Sequence, residues 1–101
     1  MRIIVPFDLK AGTDVSEYED WAKTKDVPTA SALPSVNSFT VHKATGLFGS
    51  DDKAPYEYFE IIDITNMDDF VADVSNEEFQ AAAAPFQDYA DGPAFILTED
   101  L

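Results

Sequence analysis

Tyr56-Glu57-Tyr58-Phe59-Glu60-Ile61-Ile62-Asp63-Ile64-Thr65 carries the period-two pattern of a β-strand and is apolar in both phases, with Phe59 and Ile61 at odd positions and Tyr58 and Ile62 at even ones. Turn chemistry precedes it: Gly46, Gly49, Ser50, Asp51, Asp52 and Pro55. Before that turn, Ser35 to about Phe48 alternates again, with Phe39 and Val41 on one face and Ser38, Thr40 and His42 on the other. The two runs are expected to pair as a hairpin.

The same reading extends outward in both directions. Arg2 to Leu9 alternates, with Ile3, Val5, Phe7 and Leu9 in phase. Pro6 has no N–H to donate, so this strand must bulge there or turn that position toward an unpaired side. Ala11-Gly12-Thr13-Asp14 supplies a turn and a cap, and Val15, Tyr18, Trp21 and Ala22 recur at helical spacing. This helix is expected to stop before Pro28, leaving Pro28 to Pro34 irregular. Downstream, Asn66 caps a segment with Met67, Phe70, Val71 and Val74 in helical phase, and Asn76-Glu77-Glu78 starts another containing Phe79, Ala82, Ala83, Phe86 and Tyr89. Pro85 should kink or break it. Gly92-Pro93 closes the helix, and Ala94 to Thr98 reads as a short last strand. The order strand, helix, strand, strand, helix, strand predicts a single α+β domain over residues 1–101: a ferredoxin-like split βαβ fold whose four-stranded antiparallel sheet is covered by helices on one face.

Composition narrows the function. The 101 residues hold 20 Asp+Glu against 6 Lys+Arg, a formal net charge of -14, which repels nucleic-acid backbones and anionic lipid heads. Six scattered cations make no basic patch. With no cysteine there is no disulfide, no thiolate nucleophile and no Cys-based metal site. No apolar window approaches membrane-spanning length, and Pro6 and Asp8 interrupt the first apolar run, so neither a span nor a signal peptide is expected. A cytoplasmic setting follows. The sequence holds no Gly-rich phosphate loop, nucleophile elbow, EF-hand or His/Cys constellation, so neither metal nor cofactor is expected.

Phase counting puts Ile3, Val5, Phe7, Phe39, Val41, Phe59 and Ile61 on one sheet face, yet Ile4, Val36, Tyr56, Tyr58, Ile62, Ile64 and Ile96 remain for the other. A sheet covered on one side only should have a polar second face. A chain this short has no spare element for a second layer, so the expectation is a two-fold homodimer packed sheet against sheet, a dimeric α+β barrel.

Candidate chemistry centres on the single histidine. If the hairpin sets His42 and Glu60 on one face, the carboxylate can orient the imidazole as a general acid or base, with Tyr58 on the same face donating to a substrate oxygen. The contrary reading is a cross-strand polar pair without chemistry. Tyr18, Trp21, Phe86 and Tyr89 are candidates to line a pocket for a flat apolar ligand, or else plain core, and Lys10 could meet a carboxylate or carbonyl of that ligand.

Several stretches also resemble a known family: Val5-Pro6-Phe7-Asp8-Leu9-Lys10-Ala11-Gly12, Tyr18-Glu19-Asp20-Trp21, Leu33-Pro34-Ser35-Val36, Pro55-Tyr56-Glu57-Tyr58-Phe59-Glu60 and Gly92-Pro93-Ala94-Phe95-Ile96. In that order they resemble the RedY-like family typified by HapK, nearly end to end. The resemblance implies a small dimeric α+β-barrel protein tied to prodigiosin-type tripyrrole pigments or related alkaloids. It further implies a cofactor-free protein that binds an apolar, pyrrolic intermediate and assists its condensation, dehydration or cyclisation. It fixes no catalytic residue. Two alternatives stand beside it: a non-catalytic accessory protein for a biosynthetic enzyme, and a cofactor-independent monooxygenase of the antibiotic-biosynthesis type.

Overall fold

A sheet in the order β2-β3-β1-β4 forms the centre of the computed structural model, which describes residues 1–101. The elements are β1 (Arg2–Leu9), α1 (Val15–Trp21), a π-helical turn (Ala22–Asp26), α2 (Val27–Ser31), β2 (Val36–Lys43), β3 (Tyr58–Ile64), α3 (Met67–Val74), α4 (Glu77–Ala83), α5 (Pro85–Tyr89), β4 (Ala90–Asp91) and β5 (Ile96–Thr98). All pairings are antiparallel, and the fold is α+β and ferredoxin-like, as expected. No helix is long and apolar enough to cross a membrane.

Pro6 shapes the edge of the sheet. β1 pairs with β3 from Arg2 to Phe7 without a bulge, while its other neighbour is split: β5 covers Arg2 to Ile4 and β4 covers Asp8 and Leu9. The Lys10 N–H donates to Tyr89 on the β4 side and the Leu9 N–H to Glu57 on the β3 side, so amides at even positions face the split strand. The missing N–H of Pro6 therefore points into the gap between β4 and β5, where no ladder bond is lost. Gly92, at φ +57°, turns the chain between the two pieces.

The helices differ from expectation where the chain meets Pro28. The first helix does not stop. The Val27 N–H donates to Ala22 five residues back, widening the helix by one residue, and α2 begins there with Pro28 in its first turn. The widened turn keeps Tyr18, Ala22, Asp26 and Ala30 buried at a strict spacing of four. The later helix breaks as Pro85 predicts, into α4 and α5, while Asn66 and Asn76 cap α3 and α4 by accepting from backbone N–H groups of their first turns.

Register corrects the assignment of faces. β1 presents Ile3, Val5 and Phe7 to the helices, but β3 presents Tyr58, Glu60, Ile62 and Ile64, because Ile3 pairs with Ile62, Val5 with Glu60 and Phe7 with Tyr58. Phe59 and Ile61 lie on the opposite face, with Ile4, Pro6 and His42. Alternation reveals which residues of a strand travel together, and register across strands decides which set faces inward. β3 is apolar in both phases, so its own sequence does not choose. Val36 also joins the core: a register shift between Val36 and Ser38 brings it opposite Ile64.

The core is largely aromatic. Phe7 stacks on Tyr58 at 5.7 Å and meets Phe86 edge-on at 5.1 Å, and Tyr18 meets Tyr58 edge-on at 5.0 Å. These contacts fasten α1 and α5 to the sheet at one end. At the other end the helices leave a cleft over the sheet.

Candidate functional site

Between the helical rod of residues 15–31 and helices α3 to α5 lies a cavity of about 390 Å³, in the size range of small-molecule sites. Ile3, Phe39 and Ile62 of the sheet form its floor, Ala30, Phe70, Val74, Phe79 and Phe86 its walls, and the exposed Val71, Phe95 and Leu97 its rim. Only Asp26, Glu60 and Gln87 bring polar side chains to it.

Asp26 and Glu60 are 7% and 4% exposed, and they meet at the floor. Glu60 comes there by β3 alternation, as the charged member of the inward set Tyr58, Glu60, Ile62 and Ile64. Asp26 comes there by the π turn, which ends on it and aims its side chain inward. Apart from one another, neither carboxyl group has a hydrogen-bonding partner in the protein, and Asp26 Oδ2 is fully enclosed. Burial, reinforced by the Asp26 charge, pushes the Glu60 carboxyl up to about 8. Burial raises Asp26 as well, while its hydrogen bond with Glu60 pulls the other way. The pair therefore keeps one proton between two carboxyls through neutral pH, one group acting as acid and the other as base.

The tyrosines beside the pair are held in place. Tyr18 is fully buried, its hydroxyl has no partner, and burial together with the Glu60 and Asp26 charges raises its proton affinity. The Tyr58 hydroxyl donates to Glu19 Oε2 at 2.6 Å, and Lys43 Nζ donates to the same oxygen at 2.8 Å. Those two hydrogen bonds hold Glu19 below the usual carboxylate range, and burial followed by the Glu19 bond pushes the Tyr58 hydroxyl up. This trio ties α1 to the sheet next to a small recess of about 140 Å³ lined by Tyr18, Ala22, Val41 and Tyr58. A larger, open concavity of about 820 Å³ beside residues 44–57 is walled mainly by loop residues and holds no buried pair of carboxyls.

Not every candidate from the sequence reaches the cleft. His42 and Glu60 do not share a face: His42 lies opposite Phe59, Glu60 lies opposite Val41, and one residue of register turns the two side chains to opposite sides of the sheet. His42 is exposed, its Nε2 sits 2.9 Å from Thr40 Oγ1, and it lines none of the cavities. Tyr58 shares the inward face with Glu60, as the alternation requires, though its hydroxyl is engaged by Glu19. Phe86 lines the cleft and Tyr18 the small recess. Trp21 and Tyr89 line neither, packing at 5.5 Å from one another and closing the aromatic cluster around Tyr18. Lys10 Nζ donates to the Gln87 carbonyl at 2.7 Å, tying the first turn to α5. Asp26 is the residue that the sequence reading missed. Its signal was present: an ionisable residue inside the four-spaced series Tyr18, Ala22, Asp26 and Ala30, concealed by ending the helix at Pro28. No three His, Asp or Glu side chains gather as a metal-ligating group.

A family model described as REDY-like protein HapK matches residues 1–101. The chain belongs to the REDY-like HapK family. Among solved structures, HapK from Hahella chejuensis is 30% identical, with a TM-score of 0.75 over 100% of this chain and 93% of that one. Two more distant structures share the fold. A dimeric ferredoxin-like protein of unknown function from Thermobifida fusca has a TM-score of 0.72 at 18% identity, over 94% of this chain and 85% of that one. SnoaB, a cofactor-independent oxygenase from Streptomyces nogalater, has a TM-score of 0.72 at 13% identity, over 99% and 93%. No curated protein matches the chain in sequence.

Proposed function

We propose that this protein assists, without a cofactor, the condensation of an apolar heteroaromatic intermediate in the assembly of prodigiosin-type tripyrrole pigments or related alkaloids, in the cytoplasm. Membership of the HapK family supports this choice of substrate class, and one observation supports the chemistry: a carboxyl pair holding one proton at the floor of an apolar cleft.

The pair suits joining a pyrrole to a pyrrole aldehyde. The protonated carboxyl gives its proton to the aldehyde oxygen as the pyrrole ring carbon bonds to the carbonyl carbon, and the ionised carboxyl takes the proton that this ring carbon loses. In the second half the new hydroxyl is protonated and leaves as water while the adjoining ring N–H is released, which yields the conjugated methine. The pair ends with the single proton it began with, and no oxidant or reductant is consumed. Apolar walls keep solvent from the carbocation-like intermediate. Glu60 and Asp26 carry the proton transfers, Phe86 packs against the ring system, and Tyr18, Trp21, Tyr89 and Tyr58 keep the floor rigid. His42 has no part in it.

The function also rests on a homodimer. Ile4, Phe59, Ile61 and Ile96 leave an apolar strip on the sheet face away from the helices, and a second copy of the chain is the occupant that gives both sheets cover; a ferredoxin-like protein of the same fold is described as dimeric.

The experiment mixes the protein with pyrrole carbaldehyde and bipyrrole and follows the coloured condensation product by absorbance. Glu60→Gln is expected to slow it about a hundredfold or more while bipyrrole still binds. Binding without acceleration by the wild-type protein would make it a carrier and overturn the catalytic assignment, and a requirement for dioxygen would assign it to oxygenase chemistry instead.

A further inference from the structure

The carboxyl pair makes a second demand, which rests on the reading of this cleft as the ligand site. Two carboxyl groups present four oxygen atoms. One shared proton serves the contact between the two groups, and beyond it no N–H or hydroxyl of the protein, the unpartnered Tyr18 hydroxyl included, donates to either carboxyl. None of the six Lys and Arg side chains lines the cavity. Arg2 is engaged by Asp63 and Asp100, Lys43 by Glu19, and Lys10 by the Gln87 carbonyl. Asp26 Oδ2 is enclosed, on a residue 7% exposed, which leaves the pair's other oxygens to face a ligand. Buried polar groups are normally satisfied, and an acceptor taken out of water without a donor destabilises the fold. Both carboxyl residues line the otherwise apolar cleft, so a ligand entering it is placed to donate to their cavity-facing oxygens.

We propose that the cleft selects its ligand by a hydrogen-bond donor, an aromatic N–H directed at the Asp26–Glu60 carboxyls, and that Asp26 is the residue that sets this preference. Ring shape and apolar area then hold the ligand, and the N–H decides between molecules of equal shape. A thiophene or furan isostere fills the same walls but leaves the carboxyl oxygens desolvated and unpaired. Sites built to bond a donor reject the analogue lacking it far more strongly than apolar pockets reject a change of size.

Isosteric probes test this by calorimetry: bipyrrole, with its N–H groups, against bithiophene, which has none. The wild-type protein is expected to bind bipyrrole at least about tenfold more tightly than bithiophene. In Asp26→Leu, which retains apolar volume and removes the acceptor, the two probes are expected to bind within about twofold of each other, with bithiophene bound at least as tightly as by the wild type. If the wild-type protein binds both probes equally, donor selection is wrong although the cleft remains a heteroaromatic site. If it binds neither, the cleft itself has been misread and this proposal falls with it. The wild-type comparison needs no variant to fold.

Discussion

The two faces of one sheet carry nearly equal apolar weight and put it to different uses. Toward the helices, Ile3, Val5, Phe7, Tyr58, Ile62 and Ile64 are at most 5% exposed, and the face places one ionisable group among them, on Glu60. Away from the helices, Ile4, Phe59 and Ile61 are half-buried, Ile96 is 47% exposed, and Arg2, Asp8, Asp63, Thr40 and His42 are interspersed with them. The covered face thus holds a rare ionisable group almost entirely out of water, and the open face holds many in contact with it. A charge changes chemistry only in the first setting: burial shifts Glu60 and Asp26, while the carboxylates of the open face pair with Arg2 and Asn37 in solvent-exposed contacts.

The strongest test of that contrast is the dependence of folding on pH. Glu60 in the folded protein holds its proton up to about 8, against an ordinary 4.5, so the folded state binds a proton that the unfolded chain has released. Stability is then fully present below about 4.5 and falls as pH rises toward about 8, the reverse of a salt-bridged carboxylate, with a slope approaching about 1.4 kcal/mol per pH unit while one proton is lost. Urea denaturation across that window is expected to show the decline in the wild type and a much flatter profile in Glu60→Gln. A wild-type curve that rises with pH would mean that the pair is not buried as described.

A smaller effect is expected on the other face. Ile61→Lys puts a charge into the apolar strip without touching the cleft, and sedimentation at micromolar concentration is expected to show dimer dissociation at least tenfold weaker in affinity, or about 1.4 kcal/mol. Folded monomers of the wild-type chain under the same conditions would remove the reason for the strip. Smallest of all is His42→Ala: condensation is expected to change less than threefold, and stability by no more than about 0.5 kcal/mol. A large loss of turnover there would move the chemistry to the open face.

Much of this contrast is legible in the residues, and its key element is not. Alternation in Arg2 to Leu9 and in Tyr58 to Ile64, the Asn caps at Asn66 and Asn76, and the break at Pro85 are local properties that the chain states directly. Which phase of β3 faces the helices is non-local, because it depends on how a 14-residue connection, 44–57, sets the register of β2 against β3. One residue of phase parted His42 from Glu60. Asp26 was hidden by a rule that is sound for α-helices: proline cannot donate, so the helix should end before it. The π turn escapes the rule by placing the proline at the start of a new α-helical segment.

That turn ties half of the acidic pair to chain length and not only to residue type. A π turn amounts to one surplus residue in a helix, and each residue rotates the helix by roughly 100°. Deleting a single position between Ala22 and Lys25 would restore a regular spiral and bring the aspartate from four residues to three after Ala22, displacing its side chain along and around the axis relative to Glu60. A change of length in this turn is thus a second genetic route, beside substitution of Asp26 itself, to altering this half of the machinery in one step.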